Sequence, residues 1–447
     1  MSQLVSLPCR IGGAFSRPER VLLALLFIVA CVAGGIAGYQ YWLRDTVAVP
    51  AQGGTYTEGI VAASIVDIAP TLNVLTKVGF VRFDESGVIV PVAAERWEVS
   101  EDGKVYTFTM RPDMAVETIK SALADNEDVF PDIEVEVTDD RRVIFHLEQA
   151  FVPFLATTAT PLFPFGPYSV VSQEKGIVKL EARPDSIVGR PYIDTIILRI
   201  YADSFSLTQA LAAGDIDGVA DVRNVENDIL ISRMSVWPIE LPRRLYVFFN
   251  TEREVVKATD VRSRLRSGQA LEKPIEVTLV TLASPKHEQL AQDLVASWEP
   301  LGVHMTLETR TATELAKEVI PARAYDILIY GLDFGGDPDP YPFWHSSQIS
   351  EKGLNLSSFA QIDADRLLEK ARQEQRPEER EKLYVQFQEI FDREVPAIEL
   401  EQVVEEFATG PSVFGVSSHP GLSIANRYDT VAGWYLKEKR VRQVESQ

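Results

Sequence analysis

The fold is decided by the stretch Tyr325-Asp-Ile-Leu-Ile-Tyr-Gly-Leu-Asp-Phe-Gly-Gly-Asp-Pro-Asp-Pro-Tyr-Pro-Phe-Trp-His345. Its first part, residues 325–330, is a short apolar run typical of a strand that is buried on both faces. The two adjacent glycines and three alternating prolines that follow favour neither helix nor strand. We therefore expect a buried strand that ends in a stiff, acidic, aromatic loop, at the edge where open α/β sheets bind ligands. A proline-rich surface turn is the alternative that these residues leave open.

The length and composition predict a folded protein of two or three domains. At 447 residues the chain exceeds what a single hydrophobic core usually organises. Its apolar content of 46% and its charged content of 24% are ordinary for globular proteins. The formal net charge of -21 argues against binding of nucleic acid, and against adhesion of the folded part to an anionic membrane surface.

Cysteine and histidine usage argues against a metal centre, and no cofactor is predicted. Cys9 and Cys31 lie in the N-terminal segment, so the rest of the chain has no thiolate ligand, disulfide or cysteine nucleophile. The histidines are scattered, with no pair at the spacing of a zinc site, at positions 146, 287, 304, 345 and 419.

An uncharged run at residues 21–43 is long enough to cross a bilayer as one helix. Basic residues precede it, and Tyr39, Tyr41 and Trp42 lie near its far end, where an interfacial aromatic belt is expected. The excess of positive charge before the run predicts that residues 1–20 are cytoplasmic. We therefore expect a single-pass membrane protein whose C-terminal body lies outside the cytoplasm, in the periplasm or the extracellular space.

Three interpretations of this segment remain open. It is a retained signal-anchor, a lipoprotein signal or a cleaved secretory signal. The sequence Ile28-Val-Ala-Cys31 is similar to a lipobox and would give a lipidated Cys31, but the apolar run continues well past that cysteine. A cleaved signal would need an unusually long apolar region. Each interpretation places the residues after position 45 outside the cytoplasm.

The sequence pattern changes at Lys273 from hairpins to alternating strands and helices. Before that residue, segments such as 105–112 and 133–147 alternate in the way that predicts antiparallel strands. After it, the order strand, helix, strand, helix, strand predicts parallel strands with right-handed crossovers, at 275–282, 286–301, 303–308, 313–319 and 325–330. Two amphipathic helices are predicted at 363–373 and 377–393.

Several stretches of the chain follow one family's order of motifs. They are Gly53-Gly-Thr-Tyr-Thr-Glu-Gly59, Ala93–Asp113, Gly166-Pro-Tyr-Ser-Val-Val171, Leu211-Ala-Ala-Gly-Asp-Ile-Asp-Gly218, Phe248-Phe-Asn-Thr251 and Asp337-Pro-Asp-Pro-Tyr-Pro-Phe-Trp-His-Ser-Ser-Gln348. Together they resemble the family 5 extracellular solute-binding proteins, the oligopeptide-, dipeptide- and nickel-binding receptors of ABC importers. The resemblance extends over about residues 50 to 405.

The resemblance implies an α/β, two-lobe periplasmic-binding-protein-like fold, type II and cluster C-like, that follows the N-terminal transmembrane helix. The expected parts are lobe I at 53–220 with a reduced accessory subdomain, lobe II at 221–360, and C-terminal helices and strands at 361–447 that return to lobe I. The chain departs from the family after Asp113, where a tryptophan-histidine-aspartate-glycine stretch is missing, and before Lys273, where a long helical section is reduced. We therefore expect a shortened member.

The function that the resemblance implies is reception of a solute for transport. Two lobes would close over the ligand by hinge motion. In peptide-binding members an extended peptide is held between the lobes by main-chain hydrogen bonds. The expected partners are a peptide or other small solute, an ABC permease, and the membrane through the N-terminal helix. No enzyme activity is expected.

The resemblance places the ligand-binding residues at three points of the chain. They lie at the end of the first strand, at a crossover near the hinge and in the lobe II loop: Glu58, Gly59, Phe249, Asn250, Asp333, Phe334, Gly336 and Asp337. One loop carboxylate is expected to bind the α-ammonium group of a peptide, in a charge-assisted hydrogen bond worth about 1.5–3 kcal/mol. Asp337 is preferred for this role, and Asp333 is the alternative.

Two other functions compete with that of a transport receptor. A degenerate binding fold that acts as an envelope scaffold or sensory partner would explain both the shortening and the continuous anchor. An extracytoplasmic hydrolase is the other. The sequence contains no Gly-x-Ser-x-Gly elbow, no His-Glu-x-x-His motif and no cysteine in the body, so it offers little support for the hydrolase.

Overall fold

The computed structural model describes residues 17–442, which form an N-terminal helix followed by two lobes built on a large mixed sheet. Cys9 and most of the predicted cytoplasmic segment lie outside the described residues. The strands of the described part are β1 (Thr46–Ala51), β2 (Thr55–Val61), β3 (Val81–Phe83), β4 (Ile89–Pro91), β5 (Ala94–Val99), β6 (Val105–Met110), β7 (Glu134–Val137), β8 (Arg142–His146), β9 (Tyr168–Glu174), β10 (Ile177–Ala182), β11 (Thr195–Tyr201), β12 (Gly218–Val219), β13 (Ser235–Phe249), β14 (Ile275–Leu282), β15 (Val303–Arg310), β16 (Ile327–Asp333), β17 (Ala397–Thr409) and β18 (Lys437–Arg442).

The α-helices of the same residues vary from single turns to long helices. They are α1 (Arg17–Asp45), α2 (Ala69–Thr76), α3 (Val116–Ala124), α4 (Phe154–Thr157), α5 (Ser204–Ala213), α6 (Asp228–Ile231), α7 (Glu254–Lys257), α8 (Thr259–Arg266), α9 (Pro285–Trp298), α10 (Ala312–Glu314), α11 (Ile320–Ala322), α12 (Tyr341–Trp344), α13 (Ile362–Gln373) and α14 (Pro377–Glu394). One π-helical turn, Leu315–Val319, joins α10 to α11.

Helix α1 extends the predicted transmembrane run at both ends. Its apolar side chains are exposed, and Phe27, for example, is 71% exposed. Within residues 17–442, Val21–Asp45 is the one helix whose length and composition suit a membrane span. The free thiol of Cys31 lies exposed on this helix. Because so large an apolar surface is unfavourable in water, α1 has the properties of a signal or an anchor.

Two long antiparallel strands, β13 and β17, run through both lobes. In the first lobe, residues 235–240 of β13 pair with residues 404–409 of β17, and in the second lobe residues 244–248 pair with 397–402. The register shifts between the two halves at Leu241-Pro242-Arg243, where proline has no N–H group to donate to the ladder. Strands that run from one lobe into the other, with a local interruption of the hydrogen bonds that pair them, provide the geometry of a hinge.

The first lobe combines a sheet core with an aromatic subdomain. In the core, β2 pairs in parallel with β11 and β12, and Tyr56 and Trp434 are fully buried beside it. The subdomain contains the sheet β5-β6-β8-β7, and its core buries Phe145 of β8 together with Phe80. Every second side chain of β6 is buried, which confirms the alternation predicted for this hairpin.

The second lobe contains the parallel strands that the sequence predicts. β14 pairs in parallel with both β15 and β16, so the prediction of a strand–helix–strand arrangement is confirmed. One boundary needs correction: the pattern predicts a strand at 325–330, whereas β16 runs from Ile327 to Asp333. Its last residues pair with β13, ending at Asp333 opposite Arg243, so Gly331 continues the ladder and does not end it.

The two C-terminal helices pack on the second lobe. Leu368 of α13, together with Phe387 and Phe391 of α14, is buried in the same apolar core as β16. The chain then returns to the first lobe through β17, because Phe407 near the end of that strand belongs to the first-lobe core. The segment predicted at 361–447 is therefore divided between the two lobes along β17.

Phe80→Ala is expected to destabilise the first lobe, because Phe80 is fully buried and contacts the rings of Phe108 and Phe145. The lost packing and the cavity left behind cost about 3–5 kcal/mol of unfolding free energy, which urea denaturation measures. Phe205→Ala is the matched control, since Phe205 is 62% exposed on α5 and its truncation should change the stability little. Equal losses from the two substitutions would contradict this account of the core.

Candidate ligand-binding cleft

A cleft of about 940 Å³ lies between the lobes, beside the break in β13. Its lining comes chiefly from the crossover (Glu240, Leu241, Pro242, Arg244 and Gln402), from first-lobe segments within 70–92, 159–167 and 415–433, and from the second-lobe glycines Gly335 and Gly336. A volume of this size is typical of sites that enclose a small organic ligand.

The loop after β16 brings the second lobe against the first. Gly335 has a φ of +64°, a left-handed conformation that glycine adopts without strain. Gly336 then lies so close to Phe83 of the first lobe that an added β-carbon would be 2.7 Å from its ring. Small residues therefore allow the loop to close one side of the cleft.

The acidic residues of this loop bind arginines of the C-terminal helices. Asp337 accepts two hydrogen bonds from Arg380, at 2.5 and 2.7 Å, and Asp339 accepts one from Arg372 at 2.7 Å. Arg372 also stacks over Tyr341, with 4.0 Å between the guanidinium carbon and the ring centre. These charge-assisted contacts attach the loop to α13 and α14 of the second lobe.

Charged groups of both signs line the cleft. The basic side chains are Lys77, Arg82 and Arg244, and the acidic ones are Glu85, Glu240 and Asp429. Arg244 is paired with Glu399 outside the lining, at 2.9 Å. Opposite charges within one cleft suit a zwitterionic ligand better than a ligand of one sign, because each end of a zwitterion finds a complementary group.

Asp429 lies partly buried in the first-lobe wall, with 28% of its side chain exposed. Burial raises the pKa of its carboxyl group. A 2.8 Å hydrogen bond from Asn426 Nδ2 opposes this rise in part, and so do His419, whose Nε2 atom lies 3.9 Å from the carboxylate, and the guanidinium of Arg82. Ionisation of Asp429 is therefore costly until a further cation lies beside it.

Glu58 lies in the core of the first lobe and does not line the cleft. Its carboxylate accepts two hydrogen bonds from Arg427, at 2.5 and 3.0 Å, and one from Tyr56 at 3.0 Å. The two charged side chains are 0% and 1% exposed. Burial and the negative charge of Glu58 raise the pKa of Tyr56 well above its usual value. Glu58 thus fixes Arg427, and the two residues that follow Arg427 line the cleft.

Gly59, Phe249 and Asn250 also lie outside the cleft lining. β2 continues to Val61, so Gly59 lies within the strand and not at its end, packed so closely that an added β-carbon would be 2.7 Å from a core isoleucine. Phe249 stacks on Trp298 in the second-lobe core, with 5.8 Å between ring centres. Asn250 donates its side-chain amide to backbone carbonyls just before β16.

The predicted loop residues are divided between the cleft and the second lobe. Gly336 lines the cleft. Asp333 is exposed and forms an ion pair with Arg243 at 3.1 Å, while Phe334 packs edge-on against another aromatic ring at 4.8 Å. Of the eight predicted residues, only Gly336 thus lies in the cleft lining of the described chain, and ligand contact by the others, Asp337 included, stays a prediction.

The segment 415–433 is the part of the cleft wall that the sequence analysis missed. Apart from short 3-10 turns such as Ile424–Tyr428, it has no regular structure. Its glycines and prolines indicate a loop, but a local pattern cannot indicate which loops face a cleft. In residues 17–442, no group of three or more His, Cys, Asp or Glu side chains is placed to hold a metal ion.

Comparison with known proteins finds relatives along much of the body. The family profile described as bacterial extracellular solute-binding proteins, family 5 Middle, matches residues 118–265. The oligopeptide-binding protein AppA of Bacillus subtilis is 21% identical over 341 residues, which cover 61% of this chain and 61% of that protein. The "Probable D,D-dipeptide-binding periplasmic protein DdpA" of Escherichia coli K12 is 23% identical over 440 residues, 76% of this chain and 84% of that protein. The chain thus spans about three fifths of the length of the first relative and most of the second.

Solved structures of similar fold cover most of the chain. HbpA2 from Haemophilus parasuis matches with a TM-score of 0.74 at 19% identity, over 86% of this chain and all of that one. The unliganded open form of the periplasmic murein tripeptide binding protein MppA has a TM-score of 0.71 at 16% identity, over 88% and 99% of the two chains. AppA of Bacillus subtilis in complex with a nonapeptide has a TM-score of 0.61 at 18% identity, over 87% and 100%. These structural matches confirm the predicted two-lobe α/β fold. The family profile and the sequence relatives confirm the predicted family resemblance, and the relatives are named as binding proteins.

Arg427→Met is expected to destabilise the protein by about 3–5 kcal/mol, because it leaves the Glu58 carboxylate buried without its cationic partner. Urea denaturation at neutral pH measures the loss. The control is Arg96→Met, whose ion pair with Glu98 is exposed and should contribute little. If the two variants unfold at the same urea concentration, the buried Glu58 carboxylate does not depend on Arg427, and this account of the pair is wrong.

Proposed function

We propose that this chain, which is similar to the family 5 extracellular solute-binding proteins, is a membrane-anchored receptor of an ABC importer that binds peptides between its lobes. The observation that carries the proposal is the cleft of about 940 Å³ beside the strands that join the lobes. Two lobes connected in this way can close over a ligand without rearranging either core. Relatives named for oligopeptide, D,D-dipeptide and di/tripeptide binding support peptides as the ligand class.

The polar groups of the cleft support a zwitterionic ligand with a peptide backbone. Asp429 suits an ammonium group, and Lys77 and Arg82 suit a carboxylate. Asn73 and Ser417 in the lining supply further donors and acceptors for peptide amides. Because charge-assisted bonds fix the two ends, the ligand would be selected by length and termini more than by side chains.

Asp429 replaces Asp337 as the ammonium partner in this proposal. The carboxylate of Asp337 already accepts two charge-assisted hydrogen bonds from Arg380, so a ligand ammonium would have to compete with a guanidinium. Asp429 accepts no hydrogen bond from an arginine within the described part of the chain, and burial raises the pKa of its carboxyl group, an effect that a ligand ammonium beside it would oppose.

Catalysis is not part of the proposed function. The relatives are solute-binding proteins, and closure over a ligand followed by release to a permease makes and breaks no covalent bond. An envelope scaffold that binds no ligand is the competing function. The melting temperature measured with and without added peptides distinguishes a scaffold from a receptor.

The proposal retains α1 as a membrane anchor. Arg440 of β18 lies over the ring of Trp42 at 5.1 Å and donates to the backbone carbonyl of Leu43 at 3.0 Å. Removal of α1 as a cleaved signal would remove both contacts. The helix end therefore takes part in the folded body, which favours an anchor over a cleaved signal. Lipidation at Cys31 would leave the same contacts in place.

Addition of short peptides to the full chain in detergent is expected to raise its melting temperature. A ligand at a hundredfold excess over its dissociation constant stabilises the folded state by about 2.7 kcal/mol. Ala432→Trp, which fills the cleft from its lining, is expected to abolish the shift. Ala124→Trp, at the exposed end of α3, is the matched control and should keep the shift.

Absence of a shift with every peptide, in a folded parent protein, would overturn the receptor and favour the scaffold. A shift that persists undiminished in Ala432→Trp would contradict binding in this cleft.

Peptide affinity is expected to increase as the pH rises through the raised pKa of Asp429. Burial keeps this carboxyl protonated at pH values at which an exposed aspartate is ionised, so the charge that attracts the ligand ammonium forms only at higher pH. Over the same interval the ligand-free protein loses stability with rising pH, because the unfolded chain binds fewer protons than the folded one. Calorimetric titration at mildly acidic and neutral pH measures the affinity, and urea denaturation measures the stability.

Asp429→Asn is expected to remove both pH dependences and to weaken binding at neutral pH. Glu85→Gln is the matched control, because Glu85 lies exposed at the rim of the same cleft. Should the full pH dependence persist in Asp429→Asn, the assignment of the ammonium contact to Asp429 is wrong.

A further inference from the structure

A two-stranded antiparallel ribbon lies directly beside the end of α1. β1 begins at the residue after α1 and pairs along its whole length with β18, the last described strand. We call residues 44–51 and 437–442 the basic ribbon, because they contain five lysines and arginines and only two carboxylates. This is a local excess of positive charge in a chain whose formal net charge is -21.

The cations of the basic ribbon form no ion pair with the described residues. The five cations are Arg44, Lys437, Lys439, Arg440 and Arg442. No carboxylate oxygen of residues 17–442 lies within 4.0 Å of a side-chain nitrogen of these residues. Elsewhere in this acidic chain many arginines form ion pairs, as Arg427 does with Glu58. The side chains of the five cations are exposed. Within the described part of the chain, the ribbon therefore presents exposed positive charge that no carboxylate pairs with.

Arg440 fixes the ribbon to the helix end. Its guanidinium donates to the backbone carbonyl of Leu43 at 3.0 Å, to that of Thr46 at 2.8 Å and to the Thr46 hydroxyl at 2.9 Å. It also lies over the ring of Trp42, at 5.1 Å from the ring centre. Since Trp42 belongs to the aromatic belt of α1, the ribbon is attached where a spanning helix leaves the bilayer.

The strand register shows how far each cation of the ribbon lies from the end of α1. Arg442 lies opposite Thr46, the first residue after the helix, and Lys439 lies opposite Val49. At the rise of a β-strand, Lys439 is about 10 Å along the ribbon from Thr46, and Lys437 is about 17 Å along it. Charges attract a membrane surface over a Debye length of about 8–10 Å. Arg442 and Lys439 are therefore placed to interact with it more strongly than Lys437.

We propose that the basic ribbon binds the anionic phospholipid headgroups of the leaflet from which α1 emerges. The inference rests on the proposed membrane anchor, because only a spanning α1 brings the ribbon to the bilayer surface. The acidic body as a whole is repelled by anionic lipid, as the net charge predicts, whereas the ribbon is attracted to it. Binding at this one edge would hold the body in a fixed orientation relative to the membrane. A lipid surface is favoured over a protein partner because the ribbon is continuous with the spanning helix.

The test compares the full chain in nanodiscs of phosphatidylcholine alone with nanodiscs that also contain phosphatidylglycerol. Exposed lysines are acylated with an amine-reactive reagent and quantified by mass spectrometry. Lys439 is expected to react about fivefold less in the anionic discs than in the neutral ones. Lys437 is expected to be protected less than Lys439. High salt should restore the reactivity of both lysines. Lys120 on α3 is the internal control and should react equally in both discs.

Arg442→Gln is expected to reduce the lipid-dependent protection of Lys439, and Arg233→Gln, an exposed arginine outside the ribbon, should leave it unchanged. Equal reactivity of Lys439 in the two lipids would overturn the proposal. Protection that requires a co-reconstituted permease and not anionic lipid would overturn it as well, in favour of a protein partner. If the chain fails to co-purify with the discs, the anchor itself is wrong. Peptide-dependent melting of Arg442→Gln tests the receptor separately, because the ribbon is not part of the cleft.

Discussion

The pairing of β13 with β17 is the constraint on which the rest of this structure depends. The two strands pair in both lobes, with an interruption between the lobes at Leu241-Pro242-Arg243 and a second register shift between Leu245 and Tyr246. Because both lobes share these strands, they cannot separate, and because the ladder is interrupted, they can change their relative angle. The cleft opens beside this interruption, and residues of both strands form part of its lining. The position of the candidate cleft thus follows from the place where the pairing of the two long strands is interrupted.

Buried charge in the first lobe positions the cleft wall. Glu58 in the middle of β2 binds Arg427 in a pair that is almost fully excluded from solvent. Such a pair contributes little net stability compared with apolar packing, but it fixes geometry because neither charge can be left alone in the core. The residues next to Arg427 are Tyr428 and Asp429, and both line the cleft. A buried ion pair therefore determines where an otherwise irregular segment presents its polar groups.

Local charge distribution matters more in this protein than the net charge. A formal charge of -21 describes the average surface, yet the cleft contains groups of both signs and the ribbon beside α1 is basic. Since electrostatic interactions at the surface are screened within about a Debye length, each ligand or surface responds to the nearest groups and not to the sum. Peptide recognition and membrane contact are thus compatible with an acidic body.

The sequence by itself determined the features that depend on local pattern. Apolar run length predicted α1, alternation predicted β6, and the strand–helix order predicted the parallel strands β14, β15 and β16. Motif order predicted the family, and the glycine pair at 335–336 predicted a tight corner of the loop that does line the cleft. Only the tertiary structure decided which charged residues are available to a ligand. Glu58 meets a partner 369 positions away and Asp337 one 43 positions away, and pairings over such separations depend on how the lobes pack, which no local pattern contains.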